Sequence, residues 1–403
     1  MAAVVAVGAT YNYSEVTATA ADAAGNVFLA GNFTGTVALG GTTLTSFGAQ
    51  DVFVAKFNLA SNQFIWAQQA GGTGTDIATA LAVSGTSVYV AGYSYGFTAG
   101  FGTITLTNAS PIDLFVAKLT DAGGTGSFVW AQQAGGTEAD IANALAVSGT
   151  SVYVTGNFSS SMARFGTTTL IGSGNFVPDV FVAKLTDAGG TGSFVWAQQA
   201  GGTRYDYAYA LAVSGTSVYV AGSFDSPTVS FGPTTLTNVG SQDVYVTKLI
   251  DTGSTGSFVW AQQAGGRGED YSSALAVSGT SVYVAGTFAN PTAGFGPATL
   301  TNPNPNTTLG FLAALTDPTL TATAAGRTLA PVQLFPNPAH RTATLRLPAG
   351  TAPAPLTLTD ALGRAVRRYP VPAGPEAALD LQGLPAGLYL LRGAGPAQRL
   401  VVE

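Results

Sequence analysis

The stretch FVWAQQAGGTRYDYAYALAVSGTSVYVAG, Phe194 to Gly222, decides the fold. It recurs from Phe128 and Phe258 almost letter for letter, and from Phe64 with FIW in place of FVW. Trp66, Trp130, Trp196 and Trp260 mark the copies at spacings of 64, 66 and 64 residues. A fixed long period signals an architecture in which each copy is one supersecondary unit, stacked on its neighbours. Upstream, Asn26 to Gly31 (NVFLAG) matches Ser87 to Gly92 (SVYVAG), and Glu15 stands where Asp76 stands in the next copy. The shared glycines Gly31, Gly92, Gly156, Gly222 and Gly286 make five units.

Each full unit holds four apolar runs of strand length, in the copy from Phe194 onward Ala208 to Val213, Ser217 to Phe224, Asp243 to Leu249 and Phe258 to Gln262. Val, Tyr, Phe and Thr dominate them, as strands prefer. Phe231 to Thr237 (FGPTTLT) reads as an extra hairpin arm, and Ser214-Gly215 and Gly253 to Gly256 as turns. No segment has a 3.6-residue apolar period. SVYVAG is apolar on both faces, as a strand needs when its sheet is sandwiched between neighbouring sheets. The expectation is an all-β chain: a five-bladed β-propeller of about 64-residue repeats over residues 1–316, a linker over 317–331, and a small Ig-like β-sandwich over 332–403. The fifth unit stops after Phe311-Leu312-Ala313-Ala314-Leu315 without its WAQQAGG strand, while Val4 to Gly8 is a spare strand of that type. That strand is expected to pair beside Gly310 to Leu315 and close the ring, hiding open edges.

Composition narrows the function. Only 9% of the residues are charged, against roughly 25% in an ordinary globular chain. A net charge of −6 argues against nucleic acid, which needs a basic surface. The absence of Cys removes disulfides, thiolate chemistry and cysteine metal sites. No apolar run approaches the roughly 20 residues of a membrane span. Met1 to Ala9 is apolar but lacks the basic region of a signal peptide.

The pattern FG-x-TTLT, D-V-F-V-A-K-L, W-A-x-x-A-G-G-x3-D, A-L-A-V and V-Y-V-A-G resembles the SBBP (beta-propeller) repeat of secreted bacterial proteins. The resemblance covers about residues 1–316 and implies a propeller without implying one activity. The last copy departs from it, with Leu309 and Ala314 for the Asp and Lys of DVFVAK.

Composition shifts after Asp317, through a Thr/Ala-rich stretch to a segment rich in Pro and Arg. Leu334-Phe335-Pro336-Asn337-Pro338-Ala339, then Asp360 to Arg364 with Gly363, then Leu384 to Leu391 with Gly387 and Tyr389, then Arg399 to Glu403, read as six or seven short strands. This order of motifs resembles the C-terminal sorting domain (type A) of the type IX secretion system of Bacteroidetes. The resemblance implies an address handled by the outer-membrane translocon, and hence a secreted or surface protein.

Candidate chemistry is sparse. The single His, His340, lies in the C-terminal segment, so a Ser-His-Asp triad in the repeat array is excluded. The acids are mostly locked to the repeat: Asp76, Asp140, Asp206 and Asp270 at one position, Asp51, Asp113, Asp179 and Asp243 at another, Asp121, Asp187 and Asp251 at a third. Catalytic sites are asymmetric, and the remaining Asp22, Glu138, Asp225 and Glu269 form no motif. Lys56, Lys118, Lys184 and Lys248 sit in a buried strand and need partners. The Asp after Gly-Gly is the expected one, unless that Asp instead accepts backbone N–H bonds in its turn. The four Trp are read as packing between blades, with a sugar platform as the alternative. The loops lack the D-x-D-x-D-G spacing of a dedicated calcium site, so no cofactor is expected, with calcium at the repeated Asp as the alternative.

The copies differ in three places, one of them the loops after SVYVAG: Tyr93 to Phe97, Asn157 to Met162, Ser223 to Pro227 and Thr287 to Pro291. After Gly-Gly they read TGT, TEA, TRY and RGE; two residues past the Asp they read Ala-Thr, Ala-Asn, Ala-Tyr and Ser-Ser. Arg204, Tyr205, Tyr207 and Tyr209 form the cluster best suited to contact, since Tyr and Arg carry binding energy well. The expected function is a monomeric, non-enzymatic, exported module that binds protein or glycan. The alternatives are a carboxylate-dependent glycosidase or lyase, separated by whether two or three acids converge, and a scaffold without a small ligand.

Overall fold

The structure, a computed structural model, describes residues 13–174, 176–289, 291–304, 307–317, 319, 333–347, 355–360, 364–371, 374, 376–393 and 395–403. The chain divides into two compact units, Met1–Thr316 and Asp317–Glu403, and both are built of antiparallel strands.

The array repeats one sheet. In its fourth unit the strands Asp206–Ser214, Ser217–Phe224, Asp243–Asp251 and Gly256–Gly266 pair in chain order as an antiparallel meander. A hairpin arm, Thr228–Phe231 with Thr234–Thr237, is inserted between the second and third strands. Two-residue Gly turns such as Ser214-Gly215-Thr216-Ser217 join the inner pair, with Gly215 at φ 60°, a conformation open to Gly at little cost. The first three units repeat this order. The fifth has three described strands, Asp270–Ser278, Ser281–Phe288 and Leu309–Thr316.

Both faces of each inner sheet are sealed, which is why the strands read as continuous apolar runs. Val52, Val54 and Trp66 of the first unit share a core with Phe101, Phe115, Ala117 and Leu119 of the second. The same faces meet again at later junctions, as where Val244, Val246 and Trp260 pack with Val282, Val284 and Phe311. Successive innermost strands lie side by side from Ser14–Ala21 through Asp270–Ser278. The arrangement is β-propeller-like.

Each innermost strand carries a bulge two to three residues past its Asp or Glu, at Thr17, Thr79, Asn143, Tyr209 and Ser273. A bulge frees a residue from the ladder and re-aims its side chain. Thr79 Oγ1 thereby donates to Ala142 O of the next unit at 2.7 Å, and Asn143 Nδ2 to Ala208 O at 2.8 Å. Tyr209 breaks this series.

The array ends are unlike its middle. Leu312 is 74% exposed, whereas its counterparts Val54, Val116, Val182 and Val246 are buried. Among the described residues Ser14–Ala21 shows no comparable packing on Asp270–Ser278. The strand expected at Val4 to Gly8 lies outside the described residues, as does most of the 317–331 linker.

The second compact unit has two sheets, ordered Gln333–Phe335, Thr342–Arg346, Glu376–Asp380 and Ala365–Tyr369, Leu356–Asp360, Gly387–Gly393, Gly395–Val402. Ala343, Leu345, Leu358, Leu379, Leu391 and Leu400 form its core.

Candidate functional site

Two sets of polar side chains stand at opposite ends of the same strands. At one end lie the repeat-locked Lys, Trp and Asp. Lys56 Nζ donates to Asp121 Oδ2 at 2.6 Å, and Trp66 Nε1 to Asp121 Oδ1 at 2.9 Å. Lys118 and Trp130 meet Asp187 at 2.6 and 3.0 Å, and Lys184 and Trp196 meet Asp251 at 2.6 and 3.0 Å. The lysine of one unit is therefore buckled to the third-strand Asp of the next, and not to the Asp after Gly-Gly. That third-strand Asp closes the turn to the outer strand, and only there can it reach across the junction. From the second unit onward the position of Phe28 is Tyr; Tyr89 and Tyr153 donate to Asp187 and Asp251 at 2.7 and 2.6 Å.

The acceptors Asp187 and Asp251 are desolvated, but their Lys and Tyr donors outweigh burial and hold both carboxyls below the usual carboxylate range. Burial, with the adjoining carboxylate, pushes the Tyr89 and Tyr153 hydroxyls up to about 12. A Cβ on Gly126 would lie 2.7 Å from the Trp66 ring, so the indole needs glycine beneath it. At 3 to 7% exposure the four Trp cannot serve as a sugar platform. Lys248 lies 5.6 Å from the centre of the Tyr219 ring, repeating the Lys-over-ring geometry at the fourth junction.

At the other end the Asp after Gly-Gly fastens its own loop. Asp76, Asp140, Asp206 and Asp270 each accept the backbone N–H of the second glycine at 2.7 Å. Asp51, Asp113, Asp179 and Asp243 accept an N–H from the loop before the third strand. The two carboxylates flank one glycine: a Cβ on Gly135 (φ 146°) would meet Asp140 Oδ2 at 2.6 Å and Asp113 Oδ1 at 2.7 Å. Burial pushes Asp76, Asp140 and Asp206 up to about 7, and Asp51 and Asp243 to about 6. Asp51 Oδ1, Asp76 Oδ1, Asp140 Oδ1 and Asp243 Oδ1 find no hydrogen-bond partner in the protein.

On these fastened loops, between the fourth and fifth units, lies a cleft of about 410 Å³ lined by Arg204, Tyr205, Tyr207, Asp225, Gln242 and Glu269 among others. Asp206 builds it. Its Oδ2 accepts from Gly202 N and from Ser226 Oγ, and Ser226 Oγ accepts from Arg204 N at 2.9 Å. Arg204 Nε reaches Asp225 Oδ2 at 3.3 Å. Tyr205 is half exposed and tilted against Tyr207, whose ring stacks on Tyr209 at 6.0 Å. Asp270 N donates to Gln242 O at 2.9 Å, which brings Glu269 of the fifth unit to the rim. Tyr271 OH donates to Glu269 Oε2 at 3.3 Å.

Three of the four sequence-predicted residues, Arg204, Tyr205 and Tyr207, line the cleft. Tyr209 does not; the bulge turns it beneath Tyr207. The layer beneath the cleft is built from residues particular to this unit. Gln242 Nε2 donates to Ser223 Oγ at 2.8 Å, and Ser223 Oγ in turn to Tyr209 OH at 3.4 Å. Tyr245 replaces the Phe of the other units, and its buried hydroxyl donates to Tyr207 O at 2.9 Å. Burial drives that hydroxyl well above its ordinary range. The sequence reading missed Gln242 and Tyr245 and gave Asp225 and Glu269 no role. The break of Phe to Tyr in DVYVTK was the available signal.

In the C-terminal unit Asn337 Nδ2 donates to Arg399 O at 2.7 Å and its Oδ1 accepts from Val401 N at 2.9 Å, tying the first motif to the last strand. The peptide bonds into Pro336 and Pro338 are cis. Tyr389 OH donates to Pro385 O at 2.7 Å, two residues before Gly387 opens its strand. Gly363 lies outside the described residues.

Residues 333–401 match the family described as secretion system C-terminal sorting domain. This is an exported protein's address. It indicates a secreted or cell-surface product handled by the type IX secretion system. No curated protein matches the chain. Among solved structures, a protein from Lactobacillus plantarum matches at 13% identity, over 85% of this chain and 97% of its own, with a TM-score of 0.27. A fungal alcohol oxidase of the AA5 family, solved in complex with copper, matches at 12% identity over 96% of both chains, with a TM-score of 0.28. At those scores neither protein's chemistry transfers.

Proposed function

We propose that the chain is an exported, non-enzymatic glycan-binding module, with SBBP-type repeats forming the binding array and the sorting domain delivering it to a Bacteroidetes-type cell surface or the medium. The observation that carries this reading is the cleft's supporting layer. Gln242, Ser223 and Tyr245 hold the tyrosines through hydrogen bonds whose partners differ from those at the same positions of the other described units. Unselected drift would vary exposed residues without also varying the buried ones that orient them. Polar groups converging beside aromatic faces in a cleft of this size suit a sugar ring stacked on Tyr207 and read by Arg204, Asp225 and Glu269.

A glycan-array screen of the full chain tests the proposal, with a specific hit expected and its loss on Tyr205→Ala and Tyr207→Ala. A blank array from folded protein would end it. A second reading, a carboxylate-dependent glycosidase or lyase, is favoured by Asp225 and Glu269 sharing the cleft. Release of new chain ends from the bound glycan, abolished by Asp225→Asn, would raise it above the first.

A further inference from the structure

We propose that the glycan carries free amino groups, one of which seats as an ammonium between Glu269 and the tyrosine faces of the cleft. This rests on the glycan-binding reading and adds a charge requirement to it. The charges around the cleft do not balance. Arg204 is committed to Asp225 at 3.3 Å. Glu269 receives the Tyr271 hydroxyl at 3.3 Å, and among the described residues no Lys or Arg pairs with it. The lining therefore presents a net negative field, one Arg against Asp225 and Glu269. Burial first, then the neighbouring Tyr209, Tyr205, Asp206 and Asp225, hold the Tyr207 hydroxyl above its ordinary range.

Three ligand classes respond differently to that field. A uronate, sulfate or phosphate ester would bring a second negative charge to a cleft whose one cation is already paired. A neutral sugar would displace water from Glu269 and leave its charge without a counter-charge, which costs binding energy. An ammonium answers Glu269 with a charge-assisted hydrogen bond and is attracted to the negative faces of Tyr205 and Tyr207. The rest of the sugar then stacks along the tyrosine step toward Arg204 and Asp225.

The test is calorimetric titration of the full chain with hexamers of β-1,4-linked glucosamine, of N-acetylglucosamine and of galacturonate, with hexalysine as a charge control. The glucosamine hexamer is expected to bind at least about tenfold more tightly than the acetylated one, and the galacturonate hexamer not at all. Glu269→Gln, at an exposed position, is expected to erase that gap at unchanged Tm. Equal affinity for the two glucosamine hexamers, or a gap that survives Glu269→Gln, overturns the ammonium while leaving the glycan reading standing. Hexalysine binding as tightly as the glucosamine hexamer overturns the sugar component. No binding of any hexamer by folded protein overturns both.

Discussion

The two ends of the array's strands solve opposite problems with the same residue type. At the buckle end, Asp121, Asp187 and Asp251 are saturated by Lys, Trp and, in two of three cases, Tyr donors. At the loop end, Asp76, Asp140 and Asp206 are raised to about 7 and each faces another carboxylate. The first set spends all its polarity across a junction, so it must be identical from copy to copy. The second holds up loops whose outer residues are free to differ, and the cleft is where they have differed in concert. Repetition marks where side chains satisfy one another; its breakdown marks where they are left for something else.

The largest effect should come from breaking a buckle. Asp187→Ala strands the buried Lys118 ammonium, with Tyr89 and Trp130 losing their acceptor as well. A cost of about 3–5 kcal/mol is expected, seen as a Tm lowered by roughly 10 °C. Lys118→Met combined with Asp187→Leu should recover much of that loss, since removing both charges leaves neither buried alone. A Tm change under about 2 °C for the single variant would mean the buckles register the units without stabilising them.

The next effect concerns the open end. The fifth unit's last described strand, Leu309–Thr316, borders a cavity of about 300 Å³ lined by Val244, Val246, Phe295 and Phe311, and among the described residues no fourth strand pairs beside it, as one does in the complete units. If residues 1–9 supply that strand, removing them should lower the Tm by several degrees and leave the chain monomeric. An unchanged Tm would refute closure by this segment. A dimer that dissociates only on truncation would mean that the strand is exchanged between copies.

Acid–base behaviour separates the two ends directly. The loop-end carboxyls have folded values above their ordinary 3.8, so the folded state holds their protons more tightly than the unfolded chain does. The stability they contribute is complete below about pH 4 and is lost as pH rises through about 7. The buckle carboxyls Asp187 and Asp251 are lowered, so theirs is present above the ordinary carboxylate range and lost below it. Thermal unfolding should therefore show a maximum near pH 4–5 and a fall toward pH 8 on the order of a few kcal/mol. Asp140→Asn should flatten the alkaline side; a Tm that rises steadily to pH 8 would contradict the raised carboxyls.

Most of the fold was legible because it is periodic. Four runs per unit, the arm at FGPTTLT and the turn glycines follow from local pattern, and the strands match them within two to four residues, as with Asp206–Ser214 for Ala208 to Val213. The partner of Lys118 was not legible. Three Asp series recur equally well, and choosing among them requires knowing which strand end faces the next unit. The cleft was half legible. Arg204, Tyr205 and Tyr207 stand out as departures from the repeat, but Glu269 belongs to another copy, and only the bridge between Gln242 and Glu269 joins them. Tyr209 was read as a contact residue because the bulge at its position cannot be seen in an alternating pattern.

The smallest expected effect is also the sharpest probe of the contrast. Tyr245→Phe restores the residue that the first three units carry at Phe53, Phe115 and Phe181. It removes one hydroxyl and leaves Tyr207 O, an acceptor inside the sheet, without that donor. The stability cost should be only about 1 kcal/mol, because a second acceptor bond is lost and no charge is exposed. Ligand affinity should nevertheless fall several-fold, since Tyr207 is the floor of the cleft and its backbone is what Tyr245 pins. If affinity were untouched while stability fell, the buried hydroxyl would belong with the buckles, as packing chemistry that happens to lie under a cleft. If affinity fell further than stability, the fourth unit would have exchanged a repeat-locked core residue for one that serves its surface.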